Sequence, residues 1–136
     1  MIHSVSLEFL RRGNRCQDTA RLPLRAVVVE SGRELAESVY VADSLFSRMK
    51  GLLGRRSLNP GEALWIVPCK GIHTIGMKFA IDAVFLDAHN SIVAVKTGLQ
   101  PNRMSRIYLR AASVIELHAG TITVSPLDIG ETVIFC

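Results

Sequence analysis

Apolar residues recur along this chain in short runs, and turn-forming residues stand between them. From Leu24 onward β-prone runs fall at 25–30, 38–41, 63–67, 81–87, 91–95, 113–117, 121–124 and 132–135. Runs of this length and spacing predict a mainly β domain, a compact two-sheet sandwich or a distorted barrel with one or two short helices. The clearest hairpin spans 81–95, where Asp87-Ala88-His89-Asn90 separates two β-branched runs and supplies residues that tolerate tight turns. One segment follows another period. Across 44–53, Leu45, Met49, Leu52 and Leu53 fall at i, i+4, i+7 and i+8, the stripe of a helix, with Asp43 placed to cap its start and Gly54 to close it. Residues 1–23 sustain neither period, which predicts a loosely ordered N-terminal extension ahead of a single domain at 24–136.

Composition supports an ordinary folded domain: 49% of residues are hydrophobic, 21% are charged and the mean hydropathy is +0.28. The longest unbroken apolar runs, at 26–29, 63–67 and 83–86, fall far short of the roughly 20 residues of a membrane-spanning helix. Glu8 and Arg11-Arg12 interrupt the first apolar stretch where an export signal would need it continuous. The expectation is a cytoplasmic chain with no membrane span. Cys16, Cys69 and Cys136 are odd in number, widely spread and without a Cys-x-x-Cys pair, so no disulfide framework is expected and Cys16 and Cys136 read as incidental.

Charge changes the picture in one respect. The formal net charge is +4, but between Arg48 and Arg110 ten basic residues face three acids, Glu62, Asp82 and Asp87. That surplus favours a small anionic ligand or an acidic protein partner, although solvated surface cations would give the same count. Nucleic acid is disfavoured, because the eight aromatics mostly sit in core-like runs and leave no base-stacking face.

The chemistry-bearing residues concentrate between Pro68 and Asp82. Cys69, His73 and Met77 follow one another at intervals of four, and a thiol, an imidazole and a thioether are soft and borderline ligands that suit copper, Cu(I) above all, or zinc. Cys69 beside His73 would also serve as an activated nucleophile, with Asp82 to orient the imidazole. The architectural alternative makes Cys69 a small buried hydrophobe and Met77 core filling, with His73 and Thr74 satisfying buried backbone groups. Asp82 interrupts an apolar run, so its carboxylate must reach solvent or a partner, and Arg48 or Arg55 from the helical segment is the natural one. The candidates for ligand contact are Arg48, Arg55, His73, Thr74 and Asp82.

Four blocks then fall in order: Arg48-x-x-Gly51-Leu52-Leu53-Gly54-Arg55, Pro68-Cys69-x-x-Ile72-His73-Thr74-x-Gly76-Met77, Ile81-Asp82-x-x-Phe85-Leu86-Asp87, and Val114-Ile115-Glu116-Leu117-x-Ala119-Gly120. Together they resemble the hallmarks of the DUF192 family, in a branch carrying the Pro-Cys-x-x-Ile-His-Thr-x-Gly-Met motif. The resemblance covers residues 24–136. It implies a compact β domain of two packed sheets or a distorted barrel with short helical insertions, and it implies no established reaction. The leading expectation is a non-enzymatic binding or accessory domain, a monomer or weak dimer, with its ligand surface near the 69–77 loop. The alternatives are a copper-type site at Cys69, His73 and Met77, and a thiol-based enzyme using Cys69 and His73.

Overall fold

Strands that bury both faces read as unbroken apolar runs, and the two central strands do so here. β4 (Ile81–Leu86) is buried at all six positions, and β6 (Ser113–His118) at all but its last. The computed structural model describes residues 24–124 and 126–136. The other strands are β1 (Leu24–Val28), β2 (Glu34–Ala42), β3 (Glu62–Ile66), β5 (Ile92–Leu99) and β7 (Val133–Phe135), with two short helices, α1 (Leu45–Lys50) and α2 (Thr121–Val124). All seven strands form one sheet in the order β5-β4-β6-β3-β2-β1-β7, antiparallel except for the parallel β2–β3 pair.

This sheet curls into a half-barrel, the second of the two expected architectures. Its edges approach each other at an isolated bridge between Ser91 and Thr132, reinforced by backbone bonds from Ile92 to Glu131 and from Val133 to Asn90. Curling separates two cores. Every strand contributes to the inner one, which includes Val28, Val39, Ala63, Val84, Ile115 and Val133. The second lies on the outer face of the central strands, where Leu64, Ala83, Phe85 and Val114 pack beneath Leu52, Leu58, Ile72 and Met77. The candidate site belongs to this outer layer.

Several local expectations change. The predicted strand at 121–124 is helical. Gly120 adopts φ 96°, the Thr121 hydroxyl donates to the His118 carbonyl at 2.7 Å, and the Asp82 carboxylate accepts the N–H groups of Gly120 and Ile122. These tertiary bonds satisfy a helical first turn and override β-branched propensity. The helix predicted at 44–53 is shorter. Ser44, rather than Asp43, caps it through a reciprocal box with Ser47, and Gly51 at φ 47° ends it three residues before Gly54. The expected stripe is also split, since α1 buries none of its residues while Leu52 beyond it is buried. Cys136, read as incidental, is disulfide-bonded. The expected N-terminal extension at 1–23 lies outside the described residues.

Candidate functional site

β3 leaves the sheet through a cis Val67–Pro68 bond, and residues 68–77 then run over the outer core. Backbone and side chains pin this segment to residues 100–112. The Cys69 N–H donates to the Ala112 carbonyl at 2.9 Å, and the Lys70 ammonium reaches the carbonyls of Leu109 and Ala111, each at 2.8 Å. Thr74 is fully buried and works as a clasp: its hydroxyl donates to the Gln100 carbonyl at 2.6 Å and accepts the Arg103 N–H at 3.0 Å. Gly71 passes so close to the neighbouring loop that a Cβ there would lie 2.6 Å from Ile107 Cδ1.

Between this segment, α1 and β6 lies a cavity of about 270 Å³. Arg48, Cys69, His73, Met77 and Glu116 all line it, with an apolar wall that includes Leu52 and Ile72. Glu116 sits on β6 opposite Leu64 on one side and Ala83 on the other, so its side chain leaves the sheet on the outer face. It is 3% exposed, and Oε2 has no hydrogen-bond partner. Burial pushes this carboxyl up to about 8, so at neutral pH it is mostly protonated and can donate a hydrogen bond. Arg48 reaches the Pro68 carbonyl through Nη1 at 3.1 Å, whereas its buried Nε also lacks a partner. Two residues of the cavity's lining therefore each hold a buried, unspent polar atom among apolar neighbours.

The remaining candidates divide clearly. Cys69 is half-buried and its thiol donates to the Gly71 carbonyl at 3.1 Å; burial pushes the thiol up, with a further push from Glu116, against the hydrogen bond to Gly71 and the nearby Arg48 charge. His73 is exposed at the cavity rim, and no hydrogen bond joins it to the sulfur among the described residues. Cys69, His73 and Met77 thus all line the cavity, but no group of three His, Cys, Asp or Glu side chains gathers to hold a metal among the described residues. Arg55 lies elsewhere, bonded to Glu62 at 3.0 Å and stacked over the Tyr40 ring. Thr74 is spent within the loop. Asp82 points away from the cavity and pairs with neither arginine: its carboxylate accepts N–H groups from Gly98 at 2.8 Å, Gly120 at 3.1 Å and Ile122 at 3.0 Å. His118 is held on the Leu58 carbonyl at 2.7 Å. The residue that sequence reasoning left without a role is Glu116. An acid inside the apolar run at 114–117 was the available signal, the same one that drew attention to Asp82.

A curled antiparallel-rich half-barrel, with a polar-floored cavity under a short helix on its outer face, defines the class of domain. The chain belongs to the DUF192 family, described as "Uncharacterized ACR", whose model matches residues 26–135. No curated protein matches the chain significantly. Among solved structures it is similar to a protein of unknown function from Novosphingobium aromaticivorans DSM 12444, at a TM-score of 0.71 and 14% identity, over 82% of this chain and 83% of that one. It is also similar to a "putative transcription regulator" from Sinorhizobium meliloti 1021, at a TM-score of 0.68 and 23% identity, over 82% and 91% of the two chains. At these identities the likeness shows the fold alone.

Proposed function

We propose that this domain acts by binding, and that the cavity beneath α1 takes a small, partly apolar anion. The observation that carries this reading is the pair of unpartnered buried atoms, Glu116 Oε2 and Arg48 Nε, held by two residues that line one cavity. A buried polar group without a partner costs roughly 1–3 kcal/mol, so two of them at one cavity are what a ligand site, rather than a packing solution, would retain. A neutral carboxyl and a guanidinium N–H are both donors, and Lys50 adds positive charge nearby. Donors with net positive charge suit an oxyanion, while Leu52, Ile66 and Ile72 suit its apolar remainder.

The test is a thermal-shift panel of small carboxylates, sulfonates and phosphate monoesters at neutral pH, run on the protein and on Glu116→Leu. The expected result is a raised midpoint for at least one anion class that the variant loses. A folded protein indifferent to every anion sinks the reading.

A second reading is favoured by one observation, the presence of Cys69, His73 and Met77 together in the lining of this cavity. A soft ion, Cu(I) before zinc, would bind there. Titration against a competing chelator should then show 1:1 binding that both Cys69→Ser and His73→Ala abolish; equal binding by either variant excludes it.

A further inference from the structure

Three adjacent segments, at 45–56, 69–78 and 103–110, hold nine lysines and arginines and no acid of their own, with Arg55 paired to Glu62 and Arg110 near Asp87. They adjoin through Arg48 Nη1 on the Pro68 carbonyl and through backbone bonds from Thr74 to Arg103, Ser105 to Ile72 and Tyr108 to Lys70. Large apolar side chains project from the same segments: Leu45, Phe46 and Met49 from α1, Ile75 from the second, and Ile107 and Leu109 from the third. Phe46 is 76% exposed and Leu109 81%. Scattered single apolar residues are ordinary on a surface, but a basic surface that concentrates them is not.

We propose that this surface docks on an anionic lipid bilayer, the apolar tips entering the headgroup region while the cations meet lipid phosphates and carboxylates. Charge selects the occupant. A second copy would set like charges together, and residues 1–23 carry four arginines against Glu8 and Asp18 and so do not complement it. Nucleic acid has no use for exposed aliphatic tips. An acidic protein would need the tips to converge on one matching surface, whereas here they stand on a six-residue helix and two loops. A bilayer requires only protruding tips and cations, each cation near the surface contributing by attraction to anionic lipid.

Co-sedimentation of the full chain with phosphatidylcholine vesicles, with and without phosphatidylserine, tests this. Binding is expected only to the mixed vesicles, and either Phe46→Ser/Met49→Ser or Arg106→Ser/Arg110→Ser should weaken it about tenfold, with circular dichroism confirming the fold. Absence of binding overturns the proposal. So does binding that the Phe46/Met49 pair leaves unchanged, which is charge attraction alone. A concentration-dependent dimer abolished by that same pair would assign the surface to a second copy and overturn it too.

Discussion

Asp82 and Glu116 stand one register step apart on the paired strands β4 and β6, and their carboxyl groups leave the sheet on opposite faces. The inner one is saturated by three backbone N–H groups, and the outer one faces a cavity with an oxygen unsatisfied. Two acids in neighbouring apolar runs therefore have opposite effects. Asp82 organises the half-barrel, whereas Glu116 is retained at a cost in stability.

Replacing Asp82 by Ala would strip acceptors from the Gly98, Gly120 and Ile122 amides at once. The expected loss is about 3–5 kcal/mol, enough to unfold a marginal domain. Asp82→Asn, which keeps one acceptor oxygen, should lose less. Urea unfolding of the two variants gives the ranking; equal stability of Asp82→Ala and the parent protein would refute the assignment.

For Glu116 the pH dependence has a definite sign. Between pH 4.5 and about 8 the folded protein holds a proton that the unfolded chain has released. Stability from this group is full below about pH 4.5 and declines as pH climbs through 8, a loss on the order of a few kcal/mol by pH 9. Glu116→Gln should flatten that decline. Glu116→Leu should go further and stabilise the ligand-free protein at pH 7 by about 1–3 kcal/mol, because it replaces an unpaired polar group with apolar packing. Midpoints measured from pH 5 to 9 decide both.

Gly71→Ala places a methyl group against Ile107 Cδ1 and 3.2 Å from the Arg106 carbonyl oxygen. We expect a loss of about 1–2 kcal/mol. Ile107→Ala should recover part of it, since the nearest clash is with a side-chain end, while the carbonyl contact persists. A double-mutant cycle returning full additivity would show that the two residues do not touch.

Cys69 should react slowly. Burial keeps its thiol protonated at neutral pH, so alkylation mapped by peptide analysis is expected to run slower than for a free cysteine, and to accelerate only at more alkaline pH. Rapid labelling at pH 7 would contradict this and revive the nucleophile reading.

The strands were legible because their signal is local. Alternation and β-branched runs located five strands directly, and the runs at 38–41 and 91–95 captured only part of β2 and of β5. Thr121–Val124 misled because its conformation depends on Asp82, 40 positions away from Ile122, and no window over the chain contains that bond. The stripe at 45–53 misled differently. Its period was right for a helix, but burial of Leu45 and Met49 needs a covering layer, which the described residues do not supply. The site was half visible: Arg48, Cys69, His73 and Met77 do share a cavity, whereas Thr74 and Asp82 looked functional because buried polar groups and ligand contacts leave the same trace in sequence. Glu116 follows the same rule in reverse.

β1 pairs with β7, so that Ala26 meets Phe135 across 109 positions of chain. Contacts of that separation form only after a large loop entropy has been overcome, and they yield nothing until the intervening strands are in order. The inner core draws on every strand, so a chain lacking its last pairing leaves Val28 and Val133 without their neighbours. Folding of this domain should be slow for its size and concerted at its final step, with the earliest and latest described strands acquiring hydrogen-exchange protection together.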